Sequence, residues 1–298
     1  MIYRVGWVAE WFKAPVLKTG VGESPPWVRI PPHPLLGLAW RCNRPQRLAS
    51  SRSSKGRWSA IRTSRPFTSA DRAAIVCVLV LPTVVTWLYF IALDGAAPWL
   101  QQAAAVTGKT VQFGLPVVWV WLVQRQWPQW QLPSGKGLLT GALFGIAVAA
   151  AMAVLYFAVL KPAGSFDAPA KAIRAKIASL GVGSPAAYSL LAGFYTAAHS
   201  LLEEYYWRWF VFGQLARWCK LPAAIFVSSA AFAAHHVLVL AHFFTIASAW
   251  TWVGSAGVMI GGGVWAWLYW RSGSLYAPWL SHAIVDAAIF AIGYSLLA

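Results

Sequence analysis

From residue 73 onward the chain alternates long apolar runs with short polar punctuation. Runs at 73–92, 108–124, 137–160, 185–215, 221–244, 249–270 and 275–297 approach or exceed the roughly 20 mostly apolar residues needed to cross a hydrocarbon core. The second is the weakest, because Lys109 and Pro116 interrupt it, and 95–107 could form a short extra helix. Turn signals separate the runs: Asp94-Gly95, Pro133-Ser134-Gly135, Gly181-Val182-Gly183-Ser184-Pro185 and Ser272-Gly273-Ser274. In lipid only helices or closed barrels satisfy the backbone, and these runs are continuous, without the alternating polarity of barrel strands. The pattern predicts an all-α, polytopic transmembrane helical bundle of about seven spans. Between the third and fourth runs, Lys171, Arg174 and Lys176 alternate with Ile173, Ile177 and Leu180, which predicts an amphipathic helix lying on the interface.

Composition agrees. Of 298 residues, 59% are hydrophobic and 11% charged, with 20 Trp. A soluble domain averages about 25% charged. A disordered chain and a disulfide scaffold are excluded, and a soluble enzyme nearly so. The net charge of +16 is uneven: residues 1–72 hold 13 Lys and Arg against Glu10, Glu23 and Asp71. The basic excess therefore belongs mostly to the first quarter and does not make the folded part a nucleic-acid binder. Cys42, Cys77 and Cys219 have no metal or redox spacing.

Residues 1–72 show no sustained period and read as a basic, unstructured extension, distinct from a transmembrane domain at 73–298. Residues 6–34 can also be read as a transfer-RNA gene in translation. Trp27 to Pro31 can be encoded TGG-GTT-CGA-ATC-CCA, containing the T-loop TTCGAAT, and Pro15 to Gly20 can form a hairpin CCAGT…ACTGG. Gly6-Trp7-Val8 can begin GGATGGG, complementary to CCCATCC from Pro32-His33-Pro34. This predicts an over-extended reading frame whose start lies between about Leu35 and Arg72, in a compact bacterial genome.

The chemistry concentrates in the last third. Ionisable groups at mid-membrane cost at least about 2.5–3.5 kcal/mol on insertion scales and are usually functional. The fourth run holds His199, Glu203, Glu204 and Arg208; the fifth holds His235, His236 and His242; the seventh holds His282 and Asp286. Glu204 and Arg208 share a face as an ion pair, while Glu203 points about 100° away and shares its face with His199. Asp286, four residues after His282, can accept from the ring and fix its tautomer. A carboxylate with two imidazoles suits peptide hydrolysis: a base for water, and donors or metal ligands for the developing oxyanion.

Glu203-Glu204-Tyr205-Tyr206-Trp207-Arg208 resembles the EExxxR motif of the CPBP intramembrane proteases, which include type II CAAX prenyl proteases and Abi-like, bacteriocin-processing enzymes. Phe232-Ala233-Ala234-His235-His236 resembles their FxxxH, which selects His236 over His235. His282-Ala283-Ile284-Val285-Asp286 resembles their HxxxN, with Asp in place of Asn. The resemblance covers about 185–298 and implies an endopeptidase core there. It implies that Glu203 activates water and that His236 helps hold that water or a metal. His282 and Asp286 would stabilise the oxyanion or complete a metal site, and Arg208 would orient Glu204. The family is described both as metalloproteases and as metal-free glutamate proteases, so Zn2+ on His236, His282 and Glu203 is the one cofactor it admits. An ionised Asp286 donates no hydrogen bond, which sets it apart from an Asn in the oxyanion role and suits it better to orienting His282, binding metal or staying protonated.

The implied partners are membrane lipid and a membrane-associated or lipidated peptide, of CAAX or leader type, and no nucleic acid. Arg72, Arg125, Lys136, Arg217, Lys220 and Arg271 fall on one side of the alternating spans. This predicts a bacterial cytoplasmic membrane with the N-terminus inside, the basic loop at 161–176 being the exception. The alternative is a non-catalytic transporter or scaffold on the same fold. A transporter favours broken helices and internal symmetry, and neither is evident.

Overall fold

The computed structural model describes residues 67–125, 132 and 135–296. Apart from 67–72, the extension and the transfer-RNA reading of 6–34 lie outside the described residues. Among these there is no strand. Eight helices follow: α1 (Ser69–Ala92), α2 (Pro98–Val123), α3 (Gly135–Leu160), α4 (Asp167–Ser179), α5 (185–218), α6 (Leu221–Phe244), α7 (Ala249–Ser272) and α8 (Tyr276–Tyr294). Five of them, α1, α2, α3, α6 and α8, are long and apolar enough to cross a membrane. The other two expected spans, α5 and α7, are also long helices. However, α5 carries Glu203, Glu204 and Arg208, and α7 is rich in Trp, Gly and Ser.

Two boundaries differ from the sequence pattern. Helix α1 begins at Ser69, because Thr68 and Asp71 form a reciprocal capping box that satisfies the first backbone donors. Helix α2 absorbs residues 98–107, so Lys109 and Pro116 lie inside one continuous helix. A membrane helix tolerates such a proline because its neighbours re-satisfy the freed backbone groups.

Helix faces sort by solvent. Val76, Val80, Val84, Trp87 and Ile91 of α1 stand exposed at three- and four-residue spacing, while Ile75 and Val78 are buried. In water that outward stripe is a liability; in lipid it is solvated. Helix ends sort into two sets. Gln124 donates to Gln214 (2.9 Å) and Arg72 lies over Trp218, joining the start of α1 to the ends of α2 and α5. At the opposite end α4 ties the bundle together, as expected of an amphipathic interfacial helix. Lys176 stands over Tyr89 (4.4 Å) and reaches Gln101, and Arg174 donates to the Leu296 carbonyl.

The second half of α5, from Glu203 to Ala216, is the enclosed centre of the bundle. Tyr206, Trp207, Phe210, Val211 and Phe212 are all buried, the all-round pattern of a helix enclosed by others. Tyr206 donates to the Val78 carbonyl (2.6 Å) and Tyr205 to the Phe113 carbonyl (3.2 Å), anchoring α5 to α1 and α2. Helices α3 and α8 meet through Gly141 and Gly145. A Cβ at 141 would collide with the Ala277 carbonyl, and one at 145 would stand 2.8 Å from that of Ser281. This is the small-xxx-small device of membrane helix pairs, and it sets where α8 presents His282.

Candidate active site

Three helices supply the polar cluster. On α5, two π-helical stretches, Phe194–His199 and Tyr205–Phe212, flank the single α-helical turn Ser200–Glu204. Such wide turns are rare and frequent at functional sites. Glu203 and Glu204 sit in that turn, 4% and 0% exposed. Arg208 is also buried, with Nε 3.1 Å from Glu204 Oε2. Its guanidinium lies over Phe232 (4.8 Å) and Trp265 (5.3 Å), whose faces favour a cation.

From α8, His282 brings both ring nitrogens into the cluster. Nδ1 is 2.9 Å from Glu204 Oε1 and donates to it. Nε2 is 3.7 Å from Glu203 Oε2 and 3.6 Å from Asp286 Oδ1. The expectation that Asp286 orients the ring is thereby corrected. Glu204, itself held by Arg208, makes the hydrogen bond, while the i,i+4 contact from Asp286 is too long for one. Trp265 stacks on the His282 ring (4.2 Å, 15°) and donates to Ser281 Oγ (2.9 Å), fixing the ring plane from α7.

From α6 come two histidines. His235, set aside by the motif in favour of its neighbour, places Nε2 3.9 Å from Glu203 Oε1 and stacks parallel to Trp207. His236 is half-buried, and its Nδ1 is 2.9 Å from the Phe232 carbonyl, which leaves Nε2 unused. Both act electrostatically on Glu203, as do His199 and His282. Adjacent histidines can thus serve one carboxylate, because one ring points at it directly and the other reaches its field from the next face.

Glu203 therefore lies between imidazoles of α6 and α8, and Glu204 with Arg208 supports His282. His242, at the end of α6, packs on Phe90 (4.9 Å) away from the cluster. Lys109 of α2 joins it instead: its charge acts on Glu203, His199, His235 and His236. Sequence reasoning took this lysine as a break in a span. A charge in the middle of an apolar run was the signal for it. Among the described residues no group of three or more His, Cys, Asp and Glu side chains is arranged to hold a metal ion. Glu203, His236 and His282 as they stand do not fit Zn2+, and no step below runs through a metal.

Comparison with known proteins agrees with this architecture. Residues 185–288, which span α5 to α8 and every acid and imidazole of the cluster, match the family described as Type II CAAX prenyl endopeptidase Rce1-like. No curated protein and no solved structure matches the chain. With its apolar helices, the chain is an integral membrane protein, and its residues 185–288 are similar to the Rce1-like type II CAAX prenyl endopeptidases.

Proposed function

We propose that the protein hydrolyses a peptide bond in a membrane-associated or lipidated peptide, of CAAX or leader type, using water activated by Glu203. One observation carries this reading: a single buried carboxylate is flanked by imidazole nitrogens from two other helices at 3.9 and 3.7 Å. Glu203 takes a proton from water as its oxygen attacks the carbonyl carbon. When the C–N bond breaks, Glu203 returns that proton to the departing amine, so protons balance over the cycle. His235 and His282 face the same carboxylate and orient the water, and the free Nε2 of His236 completes the polar wall. Glu204 and Arg208 are positioning residues for His282. The grouping of Arg72, Arg125 and Arg217 near one end of the bundle supports a cytoplasmic-membrane orientation with the N-terminus inside.

The test uses the full chain in proteoliposomes with fluorogenic lipidated CAAX and leader peptides. General-base catalysis contributes about 10²–10⁴-fold, so Glu203→Gln is expected to lower kcat by at least about 10²-fold. Cleavage by Glu203→Gln at the wild-type rate would refute the assignment.

A further inference from the structure

Lys109 stands outside the matched segment and outside every motif of the cluster. It occupies the middle of α2, eleven residues past Pro98 and fourteen before Val123, about 16 and 21 Å from the helix ends at 1.5 Å per residue. A charge at that depth costs at least about 2.5 kcal/mol and needs a reason. Its direction is set by the helix. Pro116 and Val120, buried on α2, lie about 20° either side of Lys109 at 100° per residue, so the lysine shares the face that α2 turns into the bundle.

Its level is set by α5. From the Gln124–Gln214 contact, Lys109 and His199 each lie fifteen residues further in, and Glu203 lies about one turn nearer that contact. The rings agree. Lys109 Nζ is 5.5 Å from the centre of the Phe113 ring, which stands nearly perpendicular to the His199 ring with their centres 6.1 Å apart. Among the described residues Lys109 forms no ion pair, yet it lies in the field of Glu203. A gap beyond ion-pair reach but within electrostatic range is what a water and a carbonyl group need between base and cation.

We propose that Lys109 donates to the oxyanion of the tetrahedral intermediate, supplying the donor that an ionised Asp286 lacks where the family pattern has Asn. This rests on the reading of Glu203 as the base. As water oxygen bonds to the carbonyl carbon, the C=O π pair moves onto oxygen and the Lys109 ammonium donates to it. When the C–N bond breaks, that pair re-forms the carbonyl and Lys109 keeps its proton. A cation acting on charge that exists only in the transition state raises kcat and leaves substrate binding nearly untouched.

The experiment compares wild type, Lys109→Met, Lys109→Arg, Asp286→Asn and Lys109→Met/Asp286→Asn in the same proteoliposomes, with Glu203→Gln as reference. Loss of one oxyanion donor costs about 10²–10³-fold in kcat. Lys109→Met is expected to show that loss with KM within about twofold and an unfolding temperature no lower than wild type, because the cost of the buried charge is removed. Lys109→Arg should recover part of the rate. Asparagine at 286 should restore at least about tenfold in the double variant, because it returns a donor. Wild-type kcat in Lys109→Met, a loss confined to KM, or no restoration by Asp286→Asn overturns the role of Lys109. If Glu203→Gln is inactive in that same series, the base assignment survives that failure. If Glu203→Gln is fully active, the hydrolytic reading itself falls.

Discussion

Gly145→Ala tests whether the α3–α8 contact sets the catalytic geometry. The added methyl would stand 2.8 Å from the Ser281 carbonyl oxygen and 3.1 Å from both Ser281 Cα and Ile284 Cβ. Ordinary contact begins near 3.4 Å, so α8 must retreat by roughly 0.6 Å at the residue preceding His282. Overpacking of this kind costs about 1–3 kcal/mol. The catalytic cost is separate. The His282 ring is held at 2.9 Å from Glu204, and a misplacement of about 1 Å can cost roughly 10²-fold in rate. Scaled to the smaller shift, kcat should fall about tenfold, equivalent to about 1.4 kcal/mol. Gly257→Ala on α7 is the control, since a Cβ there meets nothing within 4 Å and alanine favours the helix. The assay pairs thermal unfolding in detergent with peptide hydrolysis in proteoliposomes. Wild-type kcat in Gly145→Ala, or equal damage from Gly257→Ala, refutes the claim that this close approach positions His282.

Other outcomes follow from individual contacts. Arg208→Ala strips the counter-charge from fully buried Glu204 and should destabilise by about 3–5 kcal/mol, read as a large drop in unfolding temperature. Thr68→Ala removes the α1 cap and should cost about 1 kcal/mol while leaving kcat unchanged in the same hydrolysis assay. His235→Ala should lower kcat as well as His236→Ala, since His235 Nε2 is the imidazole of α6 that contacts Glu203. Full activity in steady-state cleavage by His235→Ala removes it from the water site.

How much of this was legible in the sequence depended on whether neighbours along the chain or across it decided the outcome. Span positions follow from local hydropathy, and five helices meet the length and composition they require. The Glu204–Arg208 pair follows from helix periodicity alone and stands at 3.1 Å. The orienter of His282 does not. Periodicity offered Asp286 on the same helix, but Glu204 on α5 wins because α3 and α8 pack through glycine and hold the ring against α5. Likewise His235 reaches Glu203 because of how α6 lies on α5, and no one-dimensional spacing records that. The capping box at Thr68 was legible in principle, as T-x-x-D before an apolar run, but it fell just inside the stretch set aside as extension.

The cluster also explains why so many polar groups survive at this depth. An isolated buried carboxylate is far costlier than a paired one, and Glu204 is compensated twice, by Arg208 at 3.1 Å and by His282 Nδ1 at 2.9 Å. Among the described residues Glu203 has no such close partner: its nearest imidazoles stand at 3.7 and 3.9 Å, longer than a hydrogen bond and short enough for both to share one water with it. Of two adjacent glutamates, one is spent on architecture and the other is kept under-coordinated. Exchanging their roles should therefore fail asymmetrically. Glu204→Gln should weaken the Arg208 contact and lower the unfolding temperature together with activity, whereas Glu203→Gln should abolish hydrolysis and leave the unfolding temperature near wild type. Measured side by side, equal destabilisation by the two substitutions would show that both carboxylates are structural and that neither is held ready for water.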